Sequence, residues 1–448
     1  MGMHTMTLRL SCTLALATIV SSASLLAQDK DEWPQWRGPT RDGVWHEKGI
    51  LDTFEKDQID VLWRVPIGSG YASPTVAGGL VYVTDRQTKP DAVERVHCFD
   101  WKTGEAVWSH SYACSYAGIS YPAGPRCAVL VEDGRAFSLG AAGHLNALDA
   151  KTGKLLWQHD LNEIYAIDMP IWGITASPVI ESEILIVPTS GTDGTSLVGF
   201  DVESGDEVWA ALPDRGNYSA PIVIDQAGKR VLVHWTGDRI VGLDPLSGEL
   251  HWEVDFKAKR MPLGVASPVL YEDKLFFTGF YDGCILLRVK QDELAVEELW
   301  RRVGQNERST NGLQSIISTP LIQENHIYGV DSYGEMRCLQ LSDGERVWEN
   351  LSAVPKARWA TIHFIQNGDR TFMLNERGEL MIGKLSPEGF EEVSRAKLIE
   401  PTLEQLGQRG GVVWSHPAFA HKHIFARNDE ELLCADLSAP ESEEKSGD

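Results

Sequence analysis

Four stretches of this chain end in one signature, Asp-x-x-x-Gly-x-x-x-Trp: Asp100 to Trp108, Asp149 to Trp157, Asp201 to Trp209 and Asp244 to Trp252. A looser copy, Leu341-Ser-Asp-Gly344, leads to Trp348, and Trp300 closes another copy without the Gly. From Trp108 onward the closing tryptophans are 49, 52, 43, 48 and 48 residues apart, and Trp63 precedes Trp108 by 45. A period of about 47 residues means that one small unit is repeated and stacked. Within a copy, an opening run such as Pro178-Val-Ile reads as a short buried strand, and a turn such as Glu272-Asp-Lys leads to an apolar strand such as Leu275-Phe-Phe. Asp282-Gly283 turns into a third strand. In Asp-x-x-x-Gly the Asp bonds nearby backbone N–H groups and the Gly supplies positive φ, so the segment is a hairpin turn before a fourth, Trp-bearing strand.

Copies begin near Ala72, Arg126, Ala176, Ser219, Ala266, Ser318, Ala360 and Ser415, which makes eight. Four antiparallel strands per copy, eight times over, predict an all-β fold: an eight-bladed β-propeller spanning residues 60–438. The last copy, from Ser415-His-Pro to Asp436, stops after three strands, while Asp60-Val-Leu-Trp63 is an unattached fourth. We expect this N-terminal strand to complete blade eight and close the ring, which removes exposed sheet edges. The seventh copy, Ala360 to Arg395, lacks the Trp and is the least regular.

Before the ring, Arg9 and the apolar or small run Leu10 to Leu26, ending at Ala27, read as a cleaved signal peptide over residues 1–27. Residues 28–59 form a lead-in, and residues 439–448 a disordered acidic tail. No later run reaches the roughly 20 apolar residues that a spanning helix needs. We expect an exported protein, periplasmic or secreted, and a monomer. The formal net charge of −23 repels nucleic acid and anionic lipid. Of six cysteines beyond the signal, Cys98, Cys338 and Cys434 occupy equivalent strand positions and read as small buried hydrophobes. Cys114 and Cys127 lie in or beside an irregular Gly/Pro/Tyr-rich loop, where a bridge and two free thiols are both open.

The Gly-plus-Trp repeats from Trp63 to Asp436 resemble the quinoprotein-like (PQQ-like repeat) β-propeller family. Trp33-Pro-Gln-Trp36-Arg-Gly-Pro-Thr-Arg-Asp-Gly-Val-Trp45 is similar to the lead-in of exported bacterial members of the planctomycete type. The resemblance implies two functions. The family includes dehydrogenases that use pyrroloquinoline quinone with calcium, and non-catalytic members such as the BamB subunit of the β-barrel assembly machinery. Alcohol-oxidising members carry adjacent cysteines against the quinone, and no two cysteines here are adjacent. The main expectation is a binding or scaffold module in envelope protein assembly with no cofactor. The alternative is a PQQ-dependent oxidoreductase of the alcohol or sugar dehydrogenase type.

The closing tryptophans are too regular for a ligand cage and should pack between blades. The loops that feed each innermost strand ring one mouth of the axial channel and are enriched in Arg and aromatic residues: Tyr71, Arg126, Trp172, Arg215, Asn217, Tyr218, Arg308, Asn311, Arg358, Trp359, Trp414 and His416. On an acidic chain this predicts a basic, aromatic-walled mouth for a small anionic or planar ligand or a protein partner, because Arg binds carboxylates and stacks on rings. No catalytic or metal-ligating residue is assigned. His421-Lys-His423 reads as two surface histidines on a strand, and Ser190-Gly-Thr-Asp193-Gly194 as a hairpin turn.

Overall fold

Each copy of the repeat folds into one sheet of four antiparallel strands, hydrogen-bonded in chain order. The structure, a computed structural model, describes residues 1–2 and 31–440. Residues 3–27 of the expected signal and 441–448 of the tail lie outside the described residues. The blades cover residues 75–113, 130–160, 179–211, 222–255, 269–302, 321–350 and 362–397, numbered one to seven. Blade eight combines Ala418–Ala420, His423–Arg427 and Glu431–Asp436 with Val61–Pro66, which pairs antiparallel to Glu431–Asp436 and closes the ring. The strands begin within a few residues of the expected starts; Ala176, for instance, precedes Val179 by three.

The repeat signature works across blade boundaries. Asp100 Oδ1 accepts from the amides of Lys102 and Thr103, at 2.9 Å each, and Asp149, Asp201 and Asp244 hold their turns in the same way. The turn glycine lies on the indole of the preceding blade: Gly104 on Trp63, Gly153 on Trp108, Gly205 on Trp157, Gly248 on Trp209 and Gly344 on Trp300. The same indoles donate to a carbonyl in that next blade, Trp63 to Trp101, Trp108 to Ala150, Trp157 to Val202, Trp209 to Pro245 and Trp300 to Leu341, at 2.8–3.2 Å. Blade five has no such Gly, and Trp252 instead donates to Gln226 Oε1 at 2.9 Å, while Gln226 Nε2 reaches Ala295 O at 2.7 Å.

Two sequence irregularities acquire a cause. Opposite the Trp, on the third strand, sits Cys98, Ala147, Gly199, Gly242, Cys338 or Cys434, with Leu286 the larger exception, because the ring lies across that position. The three equivalent cysteines are therefore thin residues beneath an indole. Blade seven lacks a Trp because the strand turn it would dock on does not exist: blade eight joins the two ends of the chain there. Residues of the lead-in bond its outer strand instead, Phe54 N to Ser394 Oγ and Ile59 N to Lys397 O, both at 2.9 Å.

The described cysteines are all free and buried, so Cys114 and Cys127 are not bridged. His421 lies in a turn, with φ +55°, rather than on a strand, and both His421 and His423 pack on Trp101 with centroids at 4.4 and 5.3 Å. The segment around Asp193 joins two paired strands, as a hairpin turn should.

The lead-in crosses one end of the axial channel. Trp33 pairs with Val76, Trp45 bonds Gln366, and buried Arg41 donates to the carbonyls of Ser177 and Pro178 at 3.1 and 2.8 Å. Burial lowers both guanidiniums there, Arg41 to about 9 and Arg37 to about 10.

Candidate functional site

The loops before the innermost strands converge on the axis and enclose a chamber of about 130 Å³. Its floor is the lead-in residue Trp36 with His363 and His416, and its roof is aromatic. Tyr121, Trp172 and Trp359 meet edge to face, with centroids 5.8–6.1 Å apart, an arrangement that suits the ring quadrupoles. Trp172 stacks on Tyr218 at 5.1 Å, and Trp414 completes the rim 6.5 Å from Trp359.

Seven of the residues expected at the mouth line this chamber: Tyr71, Arg126, Trp172, Tyr218, Trp359, Trp414 and His416. Arg215, Asn217, Arg308, Asn311 and Arg358 do not. Asn217 is buried and structural, holding Thr236 O and the Gly264 amide. Asn311 is exposed. Tyr121, Trp36 and His363 also line the chamber, beyond the residues expected from the sequence. Tyr121 stood in the irregular Gly/Pro/Tyr-rich loop, which was visible as unusual but had no repeat position to place it. Trp36 and His363 reach the axis from a segment and a strand that were not read as facing it.

The expected convergence of guanidinium groups does not occur, because each is satisfied within its own neighbourhood. Arg215 pairs with Asp238 at 2.9 Å and Arg358 with Glu307 at 2.9 Å, and Arg409 pairs with Glu376 at 2.9 Å. Arg308 is exposed and lies over Tyr333. Only Arg126 faces the chamber, and it donates to the carbonyls of Gly124, Tyr121 and Ser120 at 2.6, 2.6 and 3.0 Å while stacking 5.0 Å over Tyr71. The sequence showed the cations but not the partners that neutralise them, which come from distant turns.

Among the described residues Arg126 is the one charged side chain that lines the chamber. Burial holds His363 down to about 4 and His416 well below the ordinary histidine value, so both rings are neutral. Burial also pushes the Tyr218 phenol up to about 12 and raises that of Tyr71. The Trp359 indole N–H is buried without a partner, and Trp359 has φ +67°, a strained backbone for a bulky residue. The arrangement can hold a small flat guest against rings.

A family model described as outer membrane protein assembly factor BamB matches residues 92–350. The chain is 24% identical over 361 residues to BamB of Shewanella oneidensis, covering 77% of this chain and 72% of that protein. It is 23% identical over 258 residues to BamB of Yersinia pestis, covering 54% of this chain and 61% of the relative's length. Among solved structures, BamB from Moraxella catarrhalis superposes with a TM-score of 0.58 at 16% identity, covering 86% of this chain and 99% of that one. The quinohemoprotein alcohol dehydrogenase from Comamonas testosteroni gives 0.63 at 12% identity, covering 93% and 82%.

The residues here do not fit a quinone with calcium. The chamber is well below the roughly 300–1,000 Å³ of ordinary small-molecule sites, its one guanidinium is bonded to its own loop, and its lining contains no carboxylate for a divalent cation. The repeat, the eight sheets and the match over more than half of the chain lead to one assignment: this chain belongs to the family described as outer membrane protein assembly factor BamB.

Proposed function

We propose that the protein is an exported, monomeric, cofactor-free binding module that serves envelope protein assembly through polypeptide partners. The observation that carries this reading is the state of the axial site. Among the described residues its one lining cation, Arg126, is bonded to the carbonyls of its own loop, its histidines are neutral and its lining is aromatic, so it offers a binding surface rather than a set of proton-transfer groups. Membership of the assembly-factor family supports the same reading. The chamber lined by Tyr71, Arg126, Trp172, Tyr218, Trp359, Trp414 and His416 takes a small planar group, either a free ligand or a partner's side chain.

The test is cross-linking in the native host followed by mass spectrometry, together with depletion of the protein. Outer-membrane β-barrel proteins should be among the cross-linked partners, and depletion should lower their folded fraction. Reduction of an artificial electron acceptor on alcohols or sugars, after loading with pyrroloquinoline quinone and calcium, would overturn the reading in favour of the oxidoreductase.

A further inference from the structure

The end of the axial channel opposite the aromatic roof is only half covered. There the lead-in satisfies the channel-side edges of four blades. Trp33 exchanges two backbone bonds with Val76 of blade one, at 2.9 and 2.8 Å, and Pro34 O accepts from Val131 of blade two at 2.9 Å. Arg41 caps the Ser177 and Pro178 carbonyls beside blade three. On blade seven, Gln366 bonds Gly43 O at 3.0 Å and Trp45 N at 2.8 Å. Between these flanks, the innermost strands of blades four, five and six, Ile222–Gln226, Val269–Tyr271 and Leu321–Gln323, have no backbone bond from outside their own sheets among the described residues.

These three edges wall a groove of about 840 Å³, with Arg41, Asp42 and Val44 of the lead-in forming its other side. Its apolar wall includes Val223, Leu270 and Ile322, and Leu270 is 42% exposed. An unpaired strand edge beside apolar pockets is the arrangement used for strand addition, in which main-chain bonds give affinity and alternate side chains enter the pockets. The molecule itself shows which occupant these edges accept. Its own extended lead-in adds antiparallel to blade one and parallel to blade seven, on either side of the gap.

We propose that this groove binds one extended segment of a partner polypeptide, alternately apolar and polar, which adds as a strand to the edge of Val269–Tyr271 and continues the interface begun by the lead-in. The proposal rests on the reading of the protein as a polypeptide-binding module, but uses a surface distinct from the aromatic chamber.

The experiment is hydrogen exchange on the full chain with a synthetic peptide of alternating Thr and Val, flanked by Lys, and with the same peptide N-methylated on alternate amides. Saturable slowing of exchange in residues 269–271 is expected with the first peptide and not with the second. Leu270→Asp should weaken binding on the order of tenfold, equivalent to about 1.4 kcal/mol, with the urea midpoint unchanged. Four results would overturn the proposal: no binding, equal binding of the methylated peptide, protection confined to another surface, or binding unaffected by Leu270→Asp. Protection already complete without peptide would mean that residues of this chain outside the described range fill the groove. Protection that grows with protein concentration would mean that a second copy fills it. Either outcome also overturns the proposal. Failure here leaves the assembly reading standing, since cross-linking and depletion test that reading without reference to this groove.

Discussion

The indole of Trp63 lies flat against Gly104 across the seam of the ring, so close that a Cβ on Gly104 would meet the ring at 2.8 Å. Trp63 belongs to the strand that completes blade eight, and Gly104 to the signature turn of blade one. The contact that joins four other pairs of neighbouring blades thus also joins blade eight, built from both ends of the chain, to blade one.

Closure should therefore be brittle. Trp63→Ala should cost about 3–5 kcal/mol, the usual range for truncating a buried aromatic. Gly104→Ala should cost about 1–3 kcal/mol, because φ of +70° strains any side chain there. Removing residues 28–64 should leave the edge of Glu431–Asp436 open and give aggregation or non-cooperative unfolding. A truncated chain that stays monomeric with an unchanged urea midpoint would contradict this account.

Trp209 and Trp359 should behave differently. Trp209 is 7% exposed between blades, and Trp209→Ala should cost about 3–5 kcal/mol. Trp359 is half-buried in the chamber roof at a positive φ, so Trp359→Ala should cost less, and Trp359→Gly less again because the strain is relieved. Equal losses at both positions, measured by chemical denaturation, would place Trp359 among the docking residues.

Gln226 replaces a missing turn glycine, so its removal should matter more than its polar side chain suggests. Gln226→Ala leaves the Trp252 N–H without a partner, while the Ala295 carbonyl keeps the Lys290 amide at 3.1 Å. Orphaned buried groups cost about 1–3 kcal/mol each. Gln226→Glu keeps the acceptor for Trp252 but turns a buried carboxylate towards the Glu293 and Ala295 carbonyls, and should cost at least as much as Gln226→Ala. No loss in Gln226→Ala would show that water satisfies the indole N–H.

Arg126 is expected to be a structural residue. Arg126→Ala should lower stability by about 1.5–3 kcal/mol, the range for hydrogen bonds to a charged group, and loosen the loop carrying Tyr121. Arg215→Ala, which breaks an exposed ion pair, should change stability by about 0–1 kcal/mol. The reverse order in urea titrations would return Arg126 to the role of a free ligand-binding cation.

Acid should destabilise the fold through its buried histidines as the pH falls below 6.5. His234 and His363 are buried and neutral, with burial lowering each from 6.5 to about 4. Between those values the unfolded chain binds protons that the folded chain refuses, so stability rises with pH across this window. On acidification from 6.5 towards 4, each histidine should remove about 1.4 kcal/mol per pH unit. Urea midpoints at pH 7.5, 6 and 5 test this. A flat series would mean that these rings are protonated in the fold, and His234→Gln should reduce the slope by one histidine's share.

The number of blades, their four-strand order, the docking role of Trp63 through Trp348 and the closing strand are all legible in the residues alone. All of these follow from local rules: an Asp–Gly turn is set by a few adjacent residues, and a Trp at fixed spacing repeats the same burial. The repeat also places Tyr71, Trp172, Tyr218, Trp359, Trp414 and His416 near the axis, because every copy enters the ring at an equivalent point. What that mouth is depends on the folded chain. The partners that neutralise Arg215 and Arg358, namely Asp238 and Glu307, lie 23 and 51 residues away in sequence, and the floor residue Trp36 arrives from a segment outside the repeat. Charge pairing and cavity shape depend on which distant side chains meet in space, and a repeat pattern carries no record of that.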